Sequence, residues 1–495
     1  MTSTADFYQT DFAGTLFPLK TNSIVICKHG TELSEYIYQR VLVPECPGDS
    51  FLPQQRVYAT KPHGHLRRTT KLDPVAEFFL YDVVYRNRGL FRPEVSDRRR
   101  SFGYRFKEGK RIPVHVAYGE YKQALSECSN DYKHNIQFDI ASYFNSLYHH
   151  DVVHWFSSHH GVSDVDENAV GQFFREINAG RSIDFMPHGI YPAKMIGNEF
   201  LKFIDLHGPL KSQKIVRFMD DVTLFDDDPR VLRADFEKIQ QLLGQFALNV
   251  NPSKTGFDNS VGDVKEALSE IRKSLKEIVT EYEEIPTASG VELIETEAEV
   301  ENSLGNEQVN ALLALLQDDA LEESDADLIL GFLRAHSDSL LDHLPILLRK
   351  FPNIIKHIHT VCSGVTDKPE LSTILLDFLK ESSDFLEFQL FWIGAIVEDY
   401  LRGEGCYGDV LLRLYELTND YSIARAKVLE IPEQGFGLKE IRDQYLKTGQ
   451  SNWLSWSSAA GARTLKAAER NYVLSYFAKA SALNHLVAEG IMKCE

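Results

Sequence analysis

The stretch Lys214-Ile-Val-Arg-Phe-Met-Asp-Asp-Val-Thr-Leu-Phe225 constrains this chain more than any other. Two short runs rich in β-branched and aromatic residues, Ile215–Met219 and Val222–Phe225, read as strands. The junction is then a hairpin tip carrying Asp220 and Asp221. Unit charges ~4 Å apart repel by roughly 4 kcal/mol at an effective dielectric near 20. A divalent cation offsets that repulsion, and hard Mg²⁺ with oxygen ligands is the natural candidate. Taken alone, the dipeptide reads equally well as a solvated turn with two acids, so its context decides.

At 495 residues and 43% hydrophobic composition, the chain is long enough for two or three domains. The six cysteines are scattered without a CxxC pair, which argues against a disulfide framework or a structural zinc site and fits a reducing, cytoplasmic setting. The polar, acidic first residues do not resemble a signal peptide, and no run of about 18 apolar residues is present, so no membrane span or membrane partner is expected.

A net charge of −19 disfavours nucleic acid at first sight, but the charge is uneven. Lys61–Arg111 holds 14 Lys/Arg against 6 Asp/Glu, whereas 285–335 holds 12 acids and only Arg334. The basic stretch is the footprint of a local polyanion site or, more plainly, a solvated arginine face.

Residues 1–60 read as irregular with some helix. Lys61–Thr70 reads as a basic loop or hairpin tip suited to phosphate. Asp73-Pro74 opens a helix. A helix is expected at Val114–Ser126 and a strand at Asn135–Ile140, which delivers Asp139, with Phe144 five residues on. His149, His150, His154, His159 and His160 lack acid or cysteine partners at ligand spacing and read as helix-surface residues. Phe185–Asn198 combines a Gly/Pro turn with a helix start, and Gly189 there lets backbone approach a ligand. An amphipathic helix at Val231–Phe246 and a turn carrying Lys254 follow.

Helix is expected over Val264–Tyr282, then an acidic, apolar-poor stretch at Glu283–Asn306 that reads as a linker. Beyond it helical patterns recur to Leu486, including one long helix at Ala459–Leu486. Leu340, Leu341, Leu344, Leu347 and Leu348 form a buried stripe. The layout predicts paired helices stacked as a degenerate HEAT-like solenoid. The domains expected are 1–260, a connection at 261–305, and 306–495.

Asp139 on one strand, Phe144 after it, His188-Gly189 with Pro192, Phe218-Met-Asp-Asp221, and Lys254 within Asn-Pro-Ser-Lys-Thr together resemble, in order and spacing, the reverse-transcriptase palm over about residues 55–260. The resemblance implies an α+β N-terminal half, with fingers and a split βαβ palm, followed by an all-α HEAT-like helical-repeat domain. It implies that Asp139, Asp220 and Asp221, with Ile140 counted beside them, bind two Mg²⁺ ions, Mn²⁺ being a possible substitute. Two such ions about 3.5–4 Å apart stabilise the attacking and leaving oxygens of an in-line displacement. Phe144 would reject a ribose 2′-hydroxyl. His188 and Gly189 would hold the substrate-contacting turn, where the family more often has Gln-Gly. Lys254 would sit by the triphosphate and protonate the pyrophosphate. Arg67 and Arg68 would lie in the fingers.

Phe102-Gly-Tyr-Arg-Phe106 and the long helical second half narrow the likeness to the abortive-infection polymerases of bacteria, AbiK-like and prophage-encoded. That resemblance implies untemplated DNA synthesis from dNTPs, a tyrosine primer leaving single-stranded DNA attached to the protein, phage defence and homo-oligomers. Tyr8, Tyr36 and Tyr38 are the primer candidates by position. Two rival readings are a templated reverse transcriptase and a non-catalytic helical-repeat binding protein with a remnant palm.

Overall fold

The computed structural model describes residues 3–43, 48–91, 96–179, 181, 186–257, 283–287, 290–294, 305–317, 321, 323–381 and 384–494. The helix expected at Val264–Tyr282 lies outside them, as does Phe185. In chain order the strands that matter are β1 (Gln55–Thr60), β2 (Leu66–Lys71), β3 (Arg99–Phe102), β4 (Phe106–Lys107), β5 (Lys110–Arg111), β6 (His134–Phe138), β7 (Lys214–Phe218), β8 (Asp221–Asp226) and β9 (Gly256–Phe257).

The chain forms two units. The first comprises Met1–Thr15, Gly30–Gln55 and Leu72–Glu266, and the second Leu16–His29, Arg56–Lys71 and Ala267–Glu495.

The first unit is α+β. Its five-stranded sheet runs β3-β7-β8-β6-β9, with β3 parallel to β7 and the other neighbours antiparallel. The expected hairpin is β7–β8, closed by only Met219 and Asp220 between the paired residues Phe218 and Asp221. Met219 takes φ 55°, the positive value that a tight two-residue turn demands.

Helix Val114–Asp131 packs on the sheet through Tyr118 and Tyr121, whose rings lie 5.2 and 5.5 Å from that of Phe218. Helix Pro74–Arg86 starts where Asp73-Pro74 predicts. The Asp73 carboxylate accepts from the amides of Val75 and Ala76, at 2.9 and 3.2 Å. Its aromatic face enters a cluster in which Phe79 lies 4.9 Å from Phe173 and 5.0 Å from Phe51.

Residues 1–60 are more ordered than expected, with helices Thr4–Asp11, Lys20–Lys28 and Gly30–Tyr36. His149 also departs from the surface reading. It is buried, its ring 4.7 Å from Phe174.

The second unit is mainly helical. Helices Glu323–Phe332, Ile355–Cys362, Glu387–Tyr400, Ser422–Glu430, Trp453–Gly461 and Ala482–Met492 each pack on the next in this row. Helices of a second row fall between them. Lys368–Glu381 packs on Leu344–Lys350 and on Tyr407–Leu417, and Leu438–Lys447 on Ala467–Phe477. Bonds step across the recurrence, as from the Gln389 amide to the Leu348 carbonyl (2.9 Å) and from the Tyr421 hydroxyl to the Phe385 carbonyl (2.9 Å). The leucine stripe at 340–348 is buried.

One expectation needs correction here. The long helix at Ala459–Leu486 is broken into Trp453–Gly461, Ala467–Phe477 and Ala482–Met492. Gly461 lies so close to the Leu429 carbonyl that a Cβ would sit 2.2 Å from it. Ser481 caps the last piece by accepting from the Asn484 amide at 3.0 Å. Within the acidic stretch, Glu283–Thr287 and Gly290–Ile294 pair as an antiparallel hairpin.

Helix Lys20–Lys28 also belongs to this unit, packed on Trp453–Gly461 and Ala482–Met492. The fully buried Glu430 carboxylate caps its N-terminus, accepting from the amides of Lys20 (3.1 Å) and Thr21 (3.0 Å). Among the described residues no helix is long and apolar enough to cross a membrane.

Candidate active site

The antiparallel pairing of β6 with β8 sets Phe138 opposite Val222. One residue further on, Asp139 leaves β6 beside Asp221 at the start of β8, and Asp220 fills the turn next to it. Paired residues across such a ladder have Cα atoms about 4.5–5.5 Å apart. Residues more than 80 positions apart are thus joined by register.

Ile140 bridges Val250 through two flanking bonds, from the Ala141 amide to the Asn249 carbonyl (2.8 Å) and from the Asn251 amide to the Asp139 carbonyl (2.9 Å). In this pattern the bridging residue's own amide and carbonyl point to the opposite edge. For Ile140 that is the β8 side of β6, where Asp220 and Asp221 lie.

Asn251-Pro-Ser-Lys-Thr255 presents Lys254. The Asn251 side chain accepts from the Ser253 amide (3.2 Å) and hydroxyl (2.7 Å), turning Pro252–Lys254 into a 3-10 turn. The Lys254 ammonium then lies 2.9 Å from Asp139 Oδ2. Burial works against that charge, but the hydrogen bond to Asp139 and the charges of Asp139, Asp221 and Asp220 hold the ammonium above its ordinary pKa. Asp139 Oδ1 is buried and has no hydrogen-bond partner among the described residues.

Removal from water, then the neighbouring Asp220 charge, pushes the Asp221 carboxyl up to about 7, against Lys254 and against Lys122 on helix Val114–Asp131. Among the described residues no group of three or more His, Cys, Asp or Glu side chains is already drawn into a metal-holding arrangement. The donor set nevertheless fits a hard divalent ion. Three carboxylates gather at one end of the sheet, one has a buried oxygen unanswered among the described residues, and one has its pKa raised by burial first and then by the Asp220 charge.

Phe144, five residues after Asp139, comes together with His188 and Gly189 within the same unit. Phe144 is buried on the short helix Tyr143–Ser146, its ring 4.8 Å from that of His188. Its carbonyl accepts from the Met186 amide at 3.0 Å. A Cβ on Gly197 would lie 2.9 Å from the Phe144 ring, so glycine there makes room for it. Gly189 has φ 107°, a conformation that favours glycine.

The remaining candidates stand elsewhere. Arg67 and Arg68 lie on β2, in the hairpin of the second unit. The three candidate tyrosines are packed or hydrogen-bonded within the fold. Tyr8 is fully buried, edge-on to Tyr81 at 5.0 Å. The Tyr36 hydroxyl donates to Asp49 at 3.2 Å and that of Tyr38 to Asp82 at 2.9 Å. Burial and these carboxylates push both hydroxyls well above the usual tyrosine range.

The basic stretch is partly consumed as well. Arg99 donates to the carbonyls of Ser212 and Leu210 (3.0 and 2.9 Å), Arg86 pairs with Asp82 and Asp166, Arg100 with Glu127 and Arg105 with Glu120.

Sequence reasoning passed over Arg217, Asn198 and Asp205, which meet beneath the Met219–Asp220 turn. The signal was a lone arginine in an otherwise apolar strand.

No family model matches the chain, and no curated protein matches it. Among solved structures it is similar to the telomerase from Candida albicans in complex with a TWJ fragment of telomeric RNA. The identity is 12% and the TM-score 0.28, with 87% of this chain and 70% of that chain covered.

Proposed function

We propose that this chain is a divalent-metal-dependent nucleotidyltransferase that polymerises dNTPs in the manner of reverse-transcriptase-like enzymes. The observation that carries the reading is the β6–β8 register, which sets Asp139 beside Asp220 and Asp221 with Lys254 bonded to Asp139.

Asp139, Asp220 and Asp221, with the Ile140 carbonyl, are the residues to hold the metal. Bound there, two Mg²⁺ ions supply charge stabilisation for the attacking and leaving oxygens of phosphoryl transfer. Lys254 answers the Asp139 charge and would supply positive charge to a triphosphate bound at this site. Its elevated pKa keeps it a proton donor for the departing pyrophosphate. The Phe144 ring, packed by His188 with Gly197 leaving room for it, would reject a ribose 2′-hydroxyl by collision and by offering it no hydrogen-bond partner.

Untemplated, tyrosine-primed synthesis in phage defence, on homo-oligomers whose helical stack is HEAT-like, is the finer form of this proposal and follows the abortive-infection resemblance. Tyr8, Tyr36 and Tyr38 are engaged as folded here. Tyr148, in the same unit, is 47% exposed and is the more accessible hydroxyl.

The test is incubation of the purified full chain with labelled dNTPs and Mg²⁺. The expected product is nuclease-sensitive label that stays with the protein through phenol extraction and falls by roughly 100-fold or more in Asp220→Ala. Equal labelling of Asp220→Ala, or none in the unaltered chain, removes the proposal. Product that copies an added primer–template indicates templated synthesis instead.

A further inference from the structure

Arg217 is the only charged residue between Ile215 and Met219 on β7, and its side chain is entirely buried. Its guanidinium makes three kinds of contact. Nε and Nη2 reach Asp205 on helix Lys202–Asp205, with Nη2–Oδ2 at 2.6 Å. Nη1 donates to the Asn198 side-chain oxygen at 3.2 Å and to the Met219 carbonyl at 2.9 Å. The fork thus ties helices Tyr191–Phe200 and Lys202–Asp205 to the peptide that precedes Asp220.

That peptide closes a tight turn. Met219 stands at φ 55°, a region that L-residues other than asparagine and aspartate visit rarely. Nearby space is tight, since a Cβ on Gly103 would lie 3.1 Å from Asn198 Oδ1 and 3.6 Å from Met219 Cγ. A buried charge needs its partner, and Asp205 supplies it, but an ion pair of this kind is a poor route to stability alone. What the arrangement adds is geometry, because a planar fork fixes a carbonyl and a carboxylate at once, which lysine cannot do.

Resting on the reading of Asp139, Asp220 and Asp221 as metal ligands, we propose that Arg217 is a positioning residue. With Asp205 and Asn198 it clamps the Met219 carbonyl, sets the turn, and so fixes where the Asp220 carboxylate stands when a divalent ion binds.

The test uses Mn²⁺ alone as the probe, titrated into the full chain and followed by electron paramagnetic resonance of the free ion. Thermal unfolding and circular dichroism are recorded on each variant. Arg217→Met with Asp205→Leu removes both buried charges together and is expected to stay folded. Arg217→Lys keeps the charge but loses the fork, and guards against failure of the double variant to fold. Both are expected to bind Mn²⁺ about tenfold more weakly with unchanged helix content, and nucleotide incorporation is expected to recover at saturating Mn²⁺. Unchanged Mn²⁺ affinity in a folded variant overturns the positioning role while leaving the metal site intact. Mn²⁺ binding to the unaltered chain that does not weaken in Asp221→Asn overturns the metal reading itself, and the positioning role with it.

Discussion

Asp221 sets the pH behaviour of the site. Its carboxyl is raised to about 7 by removal from water and by Asp220, so in the metal-free protein it keeps a proton well into the neutral range. A cation that binds Asp221 must displace that proton. Affinity is therefore fully present above about pH 7 and is lost as pH falls through it, by up to about tenfold per unit for one proton. Mn²⁺ titrations at pH 6, 7 and 8 check this. The expected result is weaker binding at pH 6 than at 7, with little further gain at 8, and a flat profile contradicts it.

At this scale the sequence was informative where chemistry is local. Asp220-Asp221 stands out between two apolar runs, and Asn251-Pro-Ser-Lys builds its own turn from neighbouring atoms. Arg217 was illegible because its meaning lies in Asp205 and Asn198, on other elements. The surroundings of the tyrosines were illegible for the same reason. Tyr36 and Tyr38 look free in the sequence, and only the fold brings Asp49 and Asp82 to their hydroxyls.

Among elements, helix Lys20–Lys28 depends most on a distant partner. Glu430 caps its first turn and also receives the buried Lys427 ammonium at 2.9 Å, while Glu398 takes Arg463 at 2.6 Å and Lys20 at 3.3 Å. Glu430→Ala would strip two amides of their acceptor and remove one of the two carboxylates that answer Lys427. Breaking a buried pair from one side costs about 3–5 kcal/mol. Urea unfolding of the full chain is expected to show a loss of that order, and a loss under about 1 kcal/mol contradicts the capping role.

The same elements mark the boundary of what sequence pattern conveys. The β7–β8 hairpin and the Asp73-Pro74 helix start are written in adjacent residues and were legible. The capture of Lys20–Lys28 by residues some 400 positions later was not. Nor was the break after Gly461, where the chain passes through the 3-10 turn Ala462–Thr464 and an extended Leu465 before helix Ala467–Phe477 begins.

Taken as a whole, the molecule pairs an α+β unit that gathers acids at a sheet end with a second unit built mainly of stacked helices. The overall charge of −19 says little about the first unit's chemistry, because several of its arginines are occupied by internal carboxylates and carbonyls. Function therefore turns on whether the sheet end holds metal. Anomalous diffraction from crystals soaked in Mn²⁺ measures that most directly. The account requires manganese density bounded by Asp139, Asp220 and Asp221, and its loss in Asp221→Asn crystals. Manganese bound only elsewhere on the chain, or unchanged at this place in Asp221→Asn, would contradict it.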